Sequence, residues 1–283
     1  MLKSVVLASV AVASLTAFAT GASAQSSTPI MGTGTTANEA FVIQRGGGGG
    51  NAATVDQSGT NNKAGKLNGE IDLSVPNVSI SNFDNQANNA YTVLQNGTGN
   101  ELHITQSNAN NSVMTTNGNV FGNPSVGANS GSFQQGDRNY VDSRQNGTNG
   151  VVQFQQNSSN NQARFSVDGG ADKTYAGIFQ FGGNSNVAAI NQGYAANNAY
   201  AVVVQDGTSN NGIITQNGST NYAALLQAGN NNTASIEQTG SFVGALGYQN
   251  GSYNNGTIQQ YGSSANAAFA QYGAGNSMRI TQR

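Results

Sequence analysis

The sequence predicts an all-β fold, a stacked two-strand β-solenoid with cross-β, amyloid-like geometry. Its coils have 22 residues and consist of two 11-residue half-repeats. Three observations predict this fold: a glutamine recurs at a fixed spacing, a glycine follows two residues later, and the residues between them alternate in type. A short, constant period indicates one structural unit that stacks on copies of itself and pairs edge to edge with them.

The register is unbroken over the last part of the chain. The recurring glutamines are Gln205, Gln216, Gln227, Gln238, Gln249, Gln260, Gln271 and Gln282. The recurring turn glycines are Gly207, Gly218, Gly229, Gly240, Gly251, Gly262 and Gly273. Composition determines how often Gln and Gly occur but not their phase, so this register reflects a repeated structure.

Each half-repeat predicts one strand and one tight turn. In the unit that ends at Gln227, strand alternation places Asn221, Ala223, Leu225 and Gln227 on one face and Tyr222 on the other. Neighbouring units keep the order Asn, small, large apolar, Gln on the first face, whereas the second face varies. We therefore expect the first face to be the interior and the second face to meet solvent. The glycine after each glutamine supplies either a positive φ or close backbone approach in the turn.

The interior amides are expected to form ladders along the stack. Each interior glutamine should lie over the glutamine of the next coil, because a buried amide without a partner costs about 1–3 kcal/mol. The predicted structural amide ladder contains the eight glutamines above together with Asn210, Asn221, Asn232, Asn254 and Asn276.

The chain is predicted to have three parts. Residues 1–24 have the features of a signal peptide, with Lys3, an apolar run and a small-residue cleavage site that ends at Ala24. Residues 25–37 are expected to form a disordered leader, and residues 38–283 the repeat solenoid. No segment after the signal peptide is apolar enough to span a membrane.

Three stretches interrupt the register, near 69–88, 118–127 and 168–173. The first two contain Pro76 and Pro124, and the first and third contain several charged residues. Proline cannot donate to a strand ladder, and solvated charges do not suit a stack interior, so we expect all three to be loops outside the stack.

Charge and residue usage exclude several functional classes. Only 8% of residues are charged and the net charge is -2, so nucleic acid is not an expected partner. Cysteine is absent, which excludes a disulfide framework. His103 is the single histidine, and no second His or Cys can pair with it in a catalytic site. We therefore predict no enzyme activity and no catalytic, cofactor-binding or metal-binding residues, and keep a sugar-binding or catalytic β-helix as a remote alternative.

The spacing Gln-x-Gly-x-x-Asn-x-Ala-x-x-x-Gln, complete from Gln216 to Gln227, closely resembles the curlin repeat. Curlins are the subunits of curli, extracellular amyloid fibres of Gram-negative bacteria. The resemblance covers most of residues 38–283. It implies self-assembly into fibres with other curlin-like subunits, secretion through a dedicated outer-membrane pore, and a role in surface adhesion and biofilm matrix. Residues 25–37 match, by position only, the leader that this pore recognises.

Two departures leave open the role within such a fibre. The chain is longer than the family's familiar subunits and contains interrupting loops that they lack. Its ending, from Met278 to Arg283, resembles the terminus of the minor, nucleating curlin and carries Arg279 and Arg283. We favour a major fibre subunit, because near-continuous repeats with little charge suit a bulk building block. The alternative is a minor nucleator that anchors the fibre and seeds its growth.

Overall fold

A computed structural model describes residues 15–18, 26–27, 30–31, 39–40, 42–45, 52–57, 63–64, 93–108, 112–113 and 132–283. Every regular element in these ranges is a β-strand. The predicted all-β solenoid of stacked parallel strands is therefore confirmed for this part of the chain. These ranges accordingly hold no helix of the length and apolarity that crossing a bilayer requires.

The strands are short and follow one another through tight turns. In chain order they are β1 (Leu15–Phe18), β2 (Ser26–Ser27), β3 (Ile30–Met31), β4 (Glu39–Ala40), β5 (Val42–Arg45), β6 (Ala52–Gln57), β7 (Lys63–Ala64), β8 (Val93–Asn96), β9 (Glu101–Gln106), β10 (Ser112–Val113), β11 (Phe133–Gln135), β12 (Tyr140–Gln145), β13 (Val151–Asn157), β14 (Gln162–Val167), β15 (Tyr175–Gly182), β16 (Val187–Gln192), β17 (Tyr200–Gly207), β18 (Asn211–Gln216), β19 (Tyr222–Asn230), β20 (Thr233–Gln238), β21 (Gly244–Ser252), β22 (Asn255–Gln260), β23 (Asn266–Ala274) and β24 (Ser277–Gln282).

Two sheets face each other across a narrow interior. A ten-stranded sheet has the order β1-β6-β9-β12-β14-β16-β18-β20-β22-β24. A fourteen-stranded sheet has the main path β2-β5-β8-β11-β13-β15-β17-β19-β21-β23, with β3, β4, β7 and β10 beside it. From β11 onward, successive strands of the chain alternate between the sheets, so each consecutive pair forms one coil.

Neighbouring coils are parallel and in register. Tyr200 pairs with Tyr222, and the same displacement of 22 residues relates every later pair of stacked strands. Some earlier steps are longer: Glu101 pairs with Tyr140, and Ala52 pairs with Glu101. The backbone register stays aligned across these longer steps.

The core is one continuous column of inward side chains. On β17, Ala201 and Val203 are fully buried, and the hydrophobic cluster extends from Ala53 to Phe269. Small residues make room for large ones: a Cβ atom added to Gly256 would lie 2.3 Å from the Phe269 ring. The face predicted to be interior is thus the packed one, and its volume is balanced between facing strands.

The opposite face does not meet solvent everywhere, which corrects our expectation. On the outer side of the fourteen-stranded sheet, Phe179 and Val202 are 0% exposed and Val204 is 7% exposed. The outward positions of β15 and β17 carry large apolar side chains, so their burial is as favourable as burial in the interior. Further along the stack the expectation holds, since Tyr222 is 58% exposed.

The segment 168–173, which we expected to leave the stack, stays in it. Ala171 is 1% exposed and packs in a small apolar cluster with Ala196. Asp172 forms single β-bridges with the coils on both sides. The next coil has a similarly enlarged turn, at 193–199, so the two turns stack on each other and their backbones remain paired.

The first strands lie within the segments predicted to be removed or disordered. Strand β1 falls in the predicted signal peptide and pairs antiparallel with β6. Strands β2 and β3 fall in the predicted leader and pair antiparallel with β5 and β4. The other residues of 1–37, and the predicted interruptions near 69–88 and 118–127, lie outside the described residues.

Candidate functional site: amide rows and the open end of the stack

A row of glutamine side chains runs along the interior of the fourteen-stranded sheet. The Nε2 of Gln205 donates to the Oε1 of Gln227 at 2.9 Å, Gln227 donates to Gln249 at 2.9 Å, and Gln249 donates to Gln271 at 2.8 Å. Each amide also donates across the core; for example, Gln227 donates to the backbone oxygen of Asn211 at 3.0 Å. The row therefore links coil to coil and sheet to sheet.

A second row occupies the ten-stranded sheet. Gln216 donates to Gln238 at 3.0 Å, Gln238 to Gln260 at 3.0 Å, and Gln260 to Gln282 at 2.8 Å. In both rows these amides donate toward the C-terminal end of the stack. All eight glutamines that the sequence analysis singled out thus lie in these two rows.

The rows begin further upstream than the regular register indicates. Additional members are Gln95, Gln106, Gln134, Gln145, Gln156, Gln180 and Gln192. The spacing between stacked members is 24, 25 or 39 residues at some of these steps, so a constant period does not predict them, although the units that end at Gln106, Gln145 and Gln192 fit the repeat pattern in the sequence. The alternation of small and large apolar residues ahead of each glutamine, as in Ala176 and Ile178 before Gln180, was the available signal.

The row on the ten-stranded sheet is broken at Val167. This residue is stacked between Gln145 and Gln192, and it has no amide to offer either of them. Gln145 donates to the backbone oxygen of Gly150 at 3.2 Å. The Oε1 of Gln192 is buried without a hydrogen bond. A buried acceptor left unpaired in this way costs about 1–3 kcal/mol.

An asparagine row at one corner of the solenoid runs in the opposite direction. The Nδ2 of Asn232 donates to the Oδ1 of Asn210 at 3.1 Å, Asn254 donates to Asn232 at 3.1 Å, and Asn276 donates to Asn254 at 2.9 Å. The backbone N–H of each of these donors also points at the same oxygen. The row fixes the corner that leads into the ten-stranded sheet.

Asn221 has a different environment from the other four asparagines. It lies at the opposite corner, where the stacked residue of the next coil is Val243. Its Nδ2 donates to the backbone oxygen of Gly240 at 2.8 Å, and its Oδ1 accepts from the backbone N–H of Val243 at 3.3 Å. Asn221 therefore secures a turn and is not a step in an asparagine row.

The turn glycines fall into two classes. The first class has φ between +90° and +134° and consists of Gly207, Gly229, Gly251 and Gly273. The second class lacks a positive φ and consists of Gly218, Gly240 and Gly262. Within it, a Cβ atom on Gly240 would lie 1.6 Å from the carbonyl oxygen of Gly262. Lack of space is common to both classes, since a Cβ atom on Gly207 would lie 2.1 Å from the carbonyl oxygen of Gly229, and the first class also needs glycine for its backbone conformation.

A left-handed residue other than glycine lies two positions before each of the strands β12 to β23, and the repeat pattern did not predict it. Its φ is 55° at Ser209, 58° at Thr220, 54° at Asn231, 57° at Phe242 and 57° at Tyr253. Residues other than glycine in this region cost about 1–2 kcal/mol each. The stack imposes this conformation on side chains that do not favour it.

The last described coil, formed by β23 and β24, has an open edge. Among the described residues, β23 and β24 pair on one side only, with β21 and β22. Gln271 and Gln282 donate across the core to the backbone oxygens of Asn255 and Asn266, at 3.0 and 2.9 Å. In this part of the chain their second N–H, and the Oδ1 of Asn276, meet no partner. Both the strand edges and the amide rows are therefore ready to be continued.

Several charged side chains lie on the outer side of the ten-stranded sheet around β9 and β12. His103 lies on its outer side, with its Nε2 3.9 Å from a Glu101 carboxylate oxygen and its ring 5.8 Å from the Tyr140 ring. Burial, followed by the nearby Asp142 carboxylate, raises the pKa of Tyr140. Over the described ranges, no three His, Asp or Glu side chains converge in a group that could hold a metal ion.

Comparison with known families identifies the regular part of the stack. The family model described as the curlin associated repeat matches residues 207–240. This segment contains β18, β19 and β20, with Gln216 and Gln238 of one glutamine row and Gln227 of the other. The match confirms the resemblance that the repeat spacing indicated. No curated protein matches the chain.

Proposed function

Because residues 207–240 are a curlin-associated repeat, we propose that the protein is a non-enzymatic structural subunit of an extracellular, curli-like amyloid fibre. The observation that carries this proposal is the open edge formed by β23 and β24. An unpaired strand edge is completed by a further strand, and a second copy of the chain supplies a matching one. The fibre would serve surface adhesion and the biofilm matrix.

The hydrogen-bonding groups at the open end favour head-to-tail addition of the next copy. Gln271 and Gln282 have N–H groups left for an acceptor along the stack axis. In a copy added in the same orientation, the first members of the two columns would be Gln44 and Gln57. Position 57 would then continue the column that ends at Gln282, and position 44 would continue the column that ends at Gln271 once β2 leaves the edge of β5. A reversed copy would place donors against donors.

Removal of a signal peptide during export is compatible with head-to-tail addition. The proposed signal peptide, residues 1–24, contains β1, which pairs with the outer edge of β6. Removing it frees the N-terminal edge of the ten-stranded sheet for the joint with another copy. Residues 25–37 would then act as the leader for secretion through the outer-membrane pore, outside which assembly takes place.

A minor nucleator is the second candidate, and one observation favours it. Arg279 on the last strand is exposed and donates to the Oε1 of Gln259 at 2.6 Å, and Arg283 follows at the terminus. Positive charge at the growing edge disfavours adding an identical edge and favours an anionic surface. One observation disfavours the nucleator: the interior columns are uncharged along the whole described stack, as a bulk building block requires.

Assembly of the purified mature chain, residues 25–283, tests the proposal. At tens of micromolar it should form fibres whose diffraction shows spacings of about 4.7 and 10 Å. A chain that stays monomeric for days under these conditions would falsify the fibre proposal.

Deleting the gene distinguishes the two candidates. Loss of all fibre mass, restored only by supplying this protein in bulk, indicates the major subunit. Soluble fibre protein released into the medium, with this chain scarce on the fibres of normal cells, indicates the nucleator.

A further inference from the structure

The outer side of the fourteen-stranded sheet is uncharged over its last coils. We use the name open outer face for the outward residues of β19, β21 and β23. They are Tyr222, Ala224, Leu226, Ala228, Gly244, Leu246, Tyr248, Asn250, Asn266, Ala268, Ala270 and Tyr272. The outer side of the ten-stranded sheet, by contrast, carries Glu237 and Arg279 in the same coils. The two sides of the solenoid thus differ in chemistry.

A groove of about 690 Å³ crosses the open outer face from coil to coil. It lies where a column of stacked tyrosines ends at Gly244. The last two rings of this column, Tyr200 and Tyr222, are 6.1 Å apart. Leu246 projects beside it and is 44% exposed, while Ala268 in the next coil leaves a recess. The face therefore has projections and recesses at the spacing of the coils.

The open outer face continues a surface that is already buried. One and two coils earlier, the outward residues Val202 and Phe179 are 0% exposed. The column of Val202 becomes accessible at Leu246, which is 44% exposed, and the neighbouring column of Tyr200 becomes accessible at Tyr222, which is 58% exposed. Contiguous exposed apolar surface of this kind marks an interaction site.

We propose that the open outer face docks laterally against the same face of a second fibre of this chain. The inference rests on the proposed fibre function. An uncharged face loses no charge hydration when it meets itself. In a two-fold arrangement the same patch occurs on both partners, so the projecting Leu246 of each copy can enter the recess at Gly244 and Ala268 of the other.

The size of the face explains why the partner is a fibre and not a single copy. Three strands spaced about 4.8 Å apart and about 30 Å long present roughly 400 Å² per copy, about half of the area that each partner buries in a stable complex. Two isolated copies would therefore not stay paired. Along a fibre the patch recurs once per subunit, and linked patches bind together. Only another fibre of this chain repeats with the same spacing.

Substitution on each side of the solenoid tests the proposal in the full mature chain. Leu246→Glu places a carboxylate on the open outer face, and Ile213→Glu is the matched control, since Ile213 is 39% exposed on the outer side of the ten-stranded sheet. Electron microscopy should show paired filaments for the unchanged chain and for Ile213→Glu, but single filaments for Leu246→Glu. The elongation rate should be the same for all three.

A rescue experiment makes the test specific. Preformed Leu246→Glu fibres mixed with preformed Leu246→Lys fibres should pair with each other, whereas each alone stays single. If Leu246→Glu does not assemble, Ala268→Glu at an exposed position of the same face replaces it. Filaments of the unchanged chain that remain single, or Leu246→Glu filaments that still pair, would overturn the lateral inference. Absence of fibres from the unchanged chain would instead refute the proposed function.

Discussion

Replacing Val167 by glutamine should repair the broken row on the ten-stranded sheet. Position 167 is stacked between Gln145 and Gln192 in the column that otherwise consists of glutamines. The new amide would donate to the Oε1 of Gln192, which is buried without a hydrogen bond, and would accept from the Nε2 of Gln145. We therefore expect Val167→Gln to stabilise the stack, although it introduces a polar group into the core.

Two opposed contributions determine how much Val167→Gln changes the free energy of unfolding. Pairing the buried oxygen of Gln192 recovers about 1–3 kcal/mol. Removing the valine loses contact with the apolar cluster that contains Ala171, Ala196 and Ala199, at a cost of about 1 kcal/mol. Val167→Met is the matched control, because methionine has a similar length and no amide. The difference between the two variants should be about 1–3 kcal/mol in favour of glutamine.

Guanidinium titration of the assembled protein measures this difference, with the midpoint and slope compared between the variants. A double-mutant cycle with Gln192→Met assigns it to the intended contact, since the advantage of Val167→Gln should vanish in that background. A Val167→Gln chain that is no more stable than Val167→Met would refute the view that unpaired interior amides limit the stability of this stack.

Three further predictions concern other parts of the solenoid. Gln227→Ala removes a donor and an acceptor from the interior row, at a cost of about 1–3 kcal/mol for each group left unpaired. It should therefore lengthen the lag before fibre growth far more than the control Thr257→Ala on the outer side. Equal lags for the two variants would contradict this prediction. Thr220→Asn should raise the free energy of unfolding by roughly 0.5–1 kcal/mol, because asparagine tolerates the left-handed φ of 58° better than a β-branched residue. An unchanged guanidinium midpoint would count against this strain. Burial, followed by the neighbouring Tyr200 hydroxyl, raises the pKa of Tyr175 well above its usual value. The stability that the neutral Tyr175 side chain contributes is therefore complete below about pH 10 and is lost as the pH rises further. Tyr175→Phe should make the guanidinium midpoint fall less steeply between about pH 10 and 12.

The regular part of the stack was predictable because each 11-residue unit contains its own strand, turn and interior pattern. From β17 onward the pairing follows the glutamine period without a slip, so the period alone determines which residues share a column. The interior position of Gln227 and Leu225 followed from simple alternation. Local rules sufficed where every coil has the same length.

The remaining features depend on contacts between coils. The enlarged turn at 168–173 looks like a loop in sequence, yet it stays in the stack because the turn at 193–199 is enlarged in the same way. The left-handed residue before a strand is asparagine at some steps, but Phe242 and Tyr253 take the same conformation because the stacked backbones impose it. Asn221 fits the repeat in sequence, but it does not stack on another asparagine because Val243 occupies the same position in the next coil. The burial of Phe179 on the outer side likewise depends on tertiary structure.

The variation in coil length has a practical consequence. Ala52 and Glu101 stack in register although many residues separate them, and so do Tyr200 and Tyr222 at the shortest step. Loop closure costs little more as a loop lengthens, so a corner can accept a long insertion while the interior columns stay aligned. The turn at 193–199, with Tyr194 75% exposed, is a natural place for a grafted peptide. A fibre of such subunits would display that peptide at regular intervals, as a periodic scaffold whose cargo and framework can be altered independently.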